Sequence, residues 1–345
     1  MPAIFLSFEP AARANYYGDT ALAALRRLGE VRLHDGAGPL DAAALAAAAR
    51  GCEVIVSDRQ TAAPAALFAS SPGLAVFMRC AVDIRNVDVA AASAHGVLVT
   101  QASAGFGSAV AEWIVGVMID LARHVSASVV EHRAGRTPRP AMGRELRGAT
   151  LGVIGYGHIG RRLGELGLAL GMRVAVADPF AGIDNPAIRA MSLDDLAAAA
   201  DFLVCLAPAR AETENLMDQA RFAAMKPDAY FINAARGELV DEAALLRALD
   251  SGHLAGCALD VGRAPDQMPS SALARHPRVI ATPHIGGLTR PAVEHQALET
   301  VAQLAELLRG GMPAGAVNPG QATRLDRLRG PAERARQGSV PSPDR

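Results

Sequence analysis

Short apolar runs along this chain alternate with longer segments in which apolar residues recur at helical spacing, and that alternation predicts its elements. Runs at 4–7, 31–33, 53–57, 74–78 and 97–100 read as strands, separated by helical patterns at 20–28, 41–50, 63–69 and 87–95. Asp19 is the expected N-cap of the first of these helices. A polar, glycine-bearing turn at 101–108 is the candidate domain boundary. Beyond it an almost wholly apolar helix over 109–124 is expected to be either core or a subunit interface. The stretch 132–147, with Pro138 and Pro140 among arginines, reads as a surface loop. Strands follow at 150–154, 174–176, 202–206, 230–233, 257–261 and 279–282, with helices at 193–200, 219–224 and 242–249, the last capped by Asp241, and a closing helix at 289–309. Strand and helix in strict turn imply parallel sheets covered on both faces. The segment 320–345, rich in Arg, Pro and Gly without apolar periodicity, is expected to be disordered.

Composition narrows the class. With 345 residues, half of them apolar, the chain has length for about two domains and material for a substantial core. Acids and bases nearly balance at net −1, which gives no electrostatic reason to expect nucleic acid or a membrane surface as partner. The start, MPAIFLSFEP, lacks a basic segment before a long apolar run, so a cytoplasmic location is expected. Cys52, Cys80, Cys205 and Cys257 are widely spaced without a CxxC pair, so neither a metal site nor a disulfide framework is expected. They read as buried small hydrophobes.

The stretch 149–178 carries the clearest chemistry. An apolar strand runs into Gly155-Tyr156-Gly157-His158-Ile159-Gly160, then a helix, then a second strand ending at Asp178. In such a unit the first glycine allows a tight turn, the second lets backbone N–H groups approach a pyrophosphate, and the third lets helix and strand pack closely. The helix N-terminus adds unpaired donors and partial positive charge. Asp178 is placed to accept hydrogen bonds from the adenosine ribose and to repel a 2′-phosphate, which favours NAD over NADP. Further on, Pro208, Arg236, Asp260 and His284 each follow a successive strand, at the carboxyl edge of one sheet where ligands bind.

These residues, with FINAARGELVDEAALLRAL around Arg236, GCALDV ending near Asp260, TPHIGG around His284 and the closing AVNP, resemble the D-isomer-specific 2-hydroxyacid dehydrogenases over about 55–318. That family includes D-3-phosphoglycerate, glycerate and formate dehydrogenases. The resemblance implies an α/β protein of two Rossmann-like, doubly wound parallel-sheet domains with a cleft between them. Residues 1–100 plus 289–320 would form the substrate domain and 101–288 the NAD-binding domain, with a homodimer through helix 109–124. It makes His284 the acid/base for a hydride transfer at C2 of a hydroxy acid, and Arg236 the cation that grips the carboxylate. Both types suit these tasks, since imidazole titrates near neutrality and guanidinium binds a carboxylate bidentately. Asp260 would receive the nicotinamide carboxamide; Pro208, Ala234 and Gly286 complete the expected cofactor contacts. Ala81, Val82 and Asp83 would cradle the substrate carboxylate.

Three departures bear on the substrate. Pro265 stands where the family places a glutamate, or in formate dehydrogenases a glutamine, to orient the histidine. Asp266 is then the nearby carboxylate that can reach His284, set against a plain solvated loop aspartate. Cys80-Ala81-Val82-Asp83 replaces alanine-glycine-valine-glycine, so Asp83 puts negative charge near a negative substrate, with Arg79 or Arg85 available to neutralise it. Gln101-Ala102-Ser103 replaces asparagine-alanine-proline, and Trp113 follows Glu112, which points to an altered pocket or hinge. The leading reading is an NAD-dependent dehydrogenase; the alternative is an NAD(H)-binding regulatory protein resembling the corepressors of this fold.

Overall fold

Five short strands, β1 (Ala3–Leu6), β2 (Glu30–Leu33), β3 (Val54–Ser57), β4 (Val76–Arg79) and β5 (Leu98–Gln101), pair in parallel in the order β2-β1-β3-β4-β5. Of the three inner strands, β3 and β4 are buried at every residue, as continuous apolar runs covered on both faces must be. The half-polar EVRL lies at the edge, as β2. Seven further strands form a second parallel sheet: β6 (Thr150–Ile154), β7 (Arg173–Ala177), β8 (Ile188–Ala190), β9 (Phe202–Cys205), β10 (Ala229–Asn233), β11 (Leu254–Leu259) and β12 (Val279–Ala281). Their order, β12-β11-β10-β9-β6-β7-β8, reverses between β6 and β9, so a topological switch point falls at the end of the strand that feeds the glycine turn. The computed structural model describes residues 1–328. It divides into two compact units: residues 1–105 with the returning segment from Arg290, and Phe106–Thr289.

Aspartates start several helices by accepting a backbone N–H three residues on: Asp41 from Ala44, Asp88 from Ala91, Asp218 from Arg221 and Asp241 from Ala244. The helix Gly107–Arg123 buries Val110, Ala111, Ile114, Val117, Met118, Leu121 and Ala122 in one core with Leu151 and Val153 of β6. Its inner face is therefore core. All four cysteines are buried.

Four expectations need correction. Asp19 lies inside the first turn of helix Gly18–Arg26 and caps nothing, because a separate helix, Pro10–Tyr16, leads directly into it. The three-residue β8 was not expected; it is too short to show a period. The supposed loop at 132–147 starts within a helix, Val125–Arg133, that buries no residue and so leaves no apolar stripe in the sequence. The segment 320–328 is ordered: two 3-10 turns, Pro319–Gln321 and Leu325–Leu328, close onto the first unit, and Leu328 is buried in its core. The remainder of the expected disordered segment lies outside the described residues.

Candidate active site

All five residues of β6 are buried, and the strand delivers the chain to Gly155 at φ +93°. A Cβ there would stand 2.9 Å from the backbone of Leu206 and Ala207 just beyond β9, and one at Gly160 would collide with the Gly155 carbonyl oxygen. Only glycine satisfies both contacts. Gly157 faces open space, with nothing within 4 Å of its Cβ position, so its backbone is approachable by a phosphate. Helix His158–Ala169 starts there with an exposed His158, while Ile159 packs toward the core. Tyr156 is buried, and the Arg161 guanidinium sits 4.8 Å from its ring centroid.

Asp178 follows β7 and accepts from the backbone N–H groups of Tyr156 (2.7 Å), Phe180 (2.9 Å) and Ala181 (3.1 Å). Burial works to raise its pKa, but these three hydrogen bonds and the Arg161 charge outweigh it and hold the carboxyl below its ordinary range. The group is ionised at neutral pH. A carboxylate offers roughly four acceptor positions, so three internal bonds leave capacity for a ribose hydroxyl. This glycine turn and acid fit a dinucleotide.

The other residues of the same unit stand beyond successive strands. Pro208 is exposed after β9, its carbonyl accepting from the Thr213 hydroxyl at 2.8 Å. Asn233 ends β10 and shapes the turn that presents Arg236: its Oδ1 accepts from Ala235 N–H at 3.0 Å and its Nδ2 donates to the Arg236 carbonyl at 2.9 Å. Ala234 lies half-buried within that turn, and the Arg236 Nη1 donates to the Ala235 carbonyl at 2.7 Å. Beyond β11, the buried Asp260 grips the loop after β12 on both sides of His284. Its Oδ1 accepts from Thr282 Oγ1 (2.6 Å) and Ile285 N–H (2.8 Å), its Oδ2 from Gly286 N–H (2.7 Å). His284, half-buried, has a left-handed backbone at φ +55°, a strained choice for a non-glycine residue of the kind that clusters at functional sites. Trp113 borders this loop, with Cδ2 3.7 Å from the Cβ position of Gly286.

Pro265 opens a single 3-10 turn, Pro265–Gln267; the side chain of Asp266 lies outside the described residues. Arg263 pins this shortened loop to the turn after Arg236 through the Glu238 carbonyl (2.8 Å), and to the segment before helix Gln219–Ala224 through Asn215 Oδ1 (2.7 Å) and an ion pair with Glu214 (2.8 Å). In the first unit, Ala81 is buried, Val82 exposed and Asp83 partly buried in the turn that follows β4. Arg85 pairs with Asp83 at 2.9 Å, while the buried Arg79 donates to the Thr61 carbonyl and Asn86 and also feels the Asp83 charge. Ser103 takes up proline's place with hydrogen bonds, lying 2.9 Å from His295 Nε2 and donating to Glu299 at 2.8 Å.

Residues 115–286 match the family model for the D-isomer specific 2-hydroxyacid dehydrogenase, NAD binding domain. The TT0316 protein of Thermus thermophilus superposes with a TM-score of 0.82 at 31% identity, over 91% of this chain and 99% of that one. The chain belongs to the D-isomer-specific 2-hydroxyacid dehydrogenase family. Its NAD-binding domain is the unit that holds the glycine turn and Asp178. A D-2-hydroxyisocaproate dehydrogenase structure also superposes with a TM-score of 0.82, at 25% identity over 92% of this chain and 99% of that one. D-3-phosphoglycerate dehydrogenase 3, chloroplastic, of Arabidopsis thaliana is 36% identical over 272 residues, 77% of this chain and 46% of the relative. The chain thus spans about half the length of the curated relatives it matches.

Asn233, Thr282 and Arg263 were given no role from the sequence. Asn233 and Thr282 stood inside quoted motifs, and a polar residue within two or three positions of a functional side chain was the available signal. Arg263 gave none, because its partners are 21 to 49 positions away in the chain.

Proposed function

We propose that this protein is an NAD-dependent oxidoreductase acting on D-2-hydroxy and 2-oxo acids. The observation that carries the reading is the His284 loop, strained at the histidine itself and clamped by one buried carboxylate on either side of it, in a member of this dehydrogenase family. When bound, NAD supplies the hydride acceptor for C2 of the hydroxy acid, and NADH the donor for the reverse. Arg236 holds the substrate carboxylate with a two-pronged guanidinium contact and polarises the C2 oxygen. His284 takes the hydroxyl proton in oxidation and returns it in reduction. Asn233 and Asp260 act through Arg236 and His284 as positioning residues, and Asp266 is the carboxylate assigned to orient the imidazole. The regulatory alternative is not favoured, because the curated relatives are themselves named dehydrogenases.

A homodimer completes this reading. Outward from the core face of helix Gly107–Arg123, Ile119 is exposed, and so are Val125, Val129 and Val130 on the next helix. Exposed apolar side chains of this kind suit a second copy of the chain; sedimentation as a monomer at micromolar concentration would remove that part.

The deciding experiment is NADH oxidation with a panel of 2-oxo acids. Arg236→Lys and His284→Ala should each lower kcat steeply while leaving NADH affinity, read by nicotinamide fluorescence, within a few-fold of the parent. Near-full activity in either variant would overturn the assignment. If Asp266 serves His284, Asp266→Asn should move the alkaline limb of kcat/KM for reduction to lower pH, because the lost charge no longer favours the imidazolium.

A further inference from the structure

Three stretches of the second unit converge on one side chain, Arg263: residues 214–217 ahead of helix Gln219–Ala224, the turn 236–242 after β10, and the loop 260–268 after β11. The Arg263 Nε donates to the Val240 carbonyl (3.2 Å) and its Nη2 to the Glu238 carbonyl (2.8 Å) and Asn215 Oδ1 (2.7 Å), with Glu214 Oε1 2.8 Å from the same nitrogen. Its backbone N–H donates to Glu242 Oε1 at 3.1 Å. Beneath these bonds the two loops meet backbone to backbone, since a Cβ on Gly237 would collide with the Gly262 carbonyl group and with Arg263 N. Asn215 has a left-handed backbone at φ +51°, and its N–H donates to the same Glu238 carbonyl at 2.9 Å. Two of the three stretches hold the reacting groups. Arg236 precedes Gly237 directly, and Asn233 fixes its other flank by donating to the Arg236 carbonyl at 2.9 Å. Asp260, three residues before Arg263, clamps the chain on both sides of His284.

We propose that Arg263 is a positioning residue for the reaction, which sets the spacing between the Arg236 guanidinium and the His284 imidazole by locking the turn of the one to the loop that steadies the other. The inference rests on the dehydrogenase reading above. A substrate gripped at its carboxylate and exchanging a proton at C2 needs both groups at fixed separation, and a shift on the order of 1 Å costs roughly a hundredfold in rate. Arg263 is suited to fix it because a planar guanidinium meets acceptors in several directions at once, here two carbonyls of the Arg236 turn and two side chains of the 214–217 stretch. The ties are charge-assisted, and they span the loop in which Pro265 has displaced the family's orienting glutamate. Removal of the side chain takes a donor from Glu238 and Val240 together, and the Arg236 turn can then slide on the chain leaving Asp260.

The test is a double-mutant cycle in the full chain: Arg263→Ala, Arg236→Lys and the two combined, with Arg263→Lys alongside, assayed by NADH-dependent reduction of the best 2-oxo acid of the panel. Arg263→Ala should lower kcat/KM by about tenfold to a hundredfold while NADH affinity, read by fluorescence, changes by less than about threefold. Arg263→Lys keeps the charge without the fork and should recover only part of that loss. In the Arg236→Lys background, where the two-pronged grip is already gone, Arg263→Ala should cost no more than about threefold, because the two residues act on one contact. Near-parent kcat/KM in Arg263→Ala overturns the inference, and so does an equal loss in both backgrounds, which would assign Arg263 to folding alone; the dehydrogenase reading stands in either case. Should Arg263→Ala no longer bind NADH, the cycle is run with Arg263→Lys and the same two outcomes decide. Parent protein that binds NADH and reduces none of the panel overturns both.

Discussion

A histidine can exchange a proton at a fixed point only if its backbone is held, and around His284 the holding falls to Asp260. Both of its oxygens accept from the loop, one from Thr282 and Ile285, the other from Gly286. In Asp260→Asn the amide nitrogen must face a donor on one side or the other, so at least one bond is lost and the loop shifts. Displacement on the order of 1 Å can cost roughly a hundredfold in rate, so kcat should fall by that order while NADH affinity, measured by fluorescence, changes much less. An unchanged kcat would show that the clamp has no part in positioning. Asp178 supports a second prediction. Held below the ordinary carboxyl range, it carries its charge throughout the neutral region and should disfavour the 2′-phosphate of NADPH. Asp178→Ala should narrow the affinity gap between NADH and NADPH, and equal affinities in the parent would sink the assignment. Legibility differs between these two residues. Asp178 was readable because a spacing rule reaches it from the glycines. The hydrogen bonds of Asp260 close over 22 to 26 positions, which no local pattern encodes, so its clamping role emerged only from the fold.

Among the elements, those with a strong apolar period were readable, and those without one were not. The buried strands β6 and β10 and the helices that follow an aspartate cap stand within a few residues of their expected bounds. Helix Val125–Arg133 buries nothing, and β8 has only three residues, so neither had a pattern to show. At the amino edge of the second sheet, elements are joined by one acid, Asp201. Its carboxylate accepts from Thr150 N–H at the start of β6 (2.7 Å) and from Lys226 Nζ (3.1 Å), and Arg144 lies 3.7 Å away. Burial acts to raise its pKa, but the Thr150 hydrogen bond and the Lys226 and Arg144 charges prevail and lower it. A carboxyl lowered by folding stabilises the folded state above its unfolded pKa of about 3.9, and that stability is lost as pH falls through the lower folded value. Asp201→Asn should therefore cost about 1–3 kcal/mol at pH 7, with parent and variant converging below about pH 4. Urea unfolding at several pH values checks this, and a pH-independent difference would refute the electrostatic account.

On the scale of the molecule, the first unit is assembled from the two ends of the chain around an inserted second unit, so its core needs contacts of very large sequence separation. The returning helix Arg290–Leu308 adds Ala297, Leu304 and Leu307 to the core built by Ile4, Leu6 and Leu25. Arg324 then donates to the carbonyls of Ser71 and Leu74 (both 3.2 Å), which explains how a stretch without apolar periodicity becomes ordered: its partners are backbone oxygens at the opposite end of the chain. Asn318 makes the tightest of these closures. Buried beside β5, its Oδ1 accepts from Val99 N–H (2.7 Å), and its Nδ2 donates to the Val97 carbonyl (2.9 Å) and the Ser93 hydroxyl (2.8 Å). Asn318→Ala strands a buried donor of β5, Val99 N–H, and the acceptor just before it, the Val97 carbonyl, and each such group costs roughly 1–3 kcal/mol, so the loss should be on the order of 3 kcal/mol. Because the glycine turn and Asp178 belong to the other unit, NADH binding should survive at temperatures where the first unit has begun to unfold. Calorimetry with and without NADH separates the cases. A low-temperature transition in the variant that NADH leaves in place is expected, whereas a single transition that NADH raises as a whole would mean that the two units unfold as one.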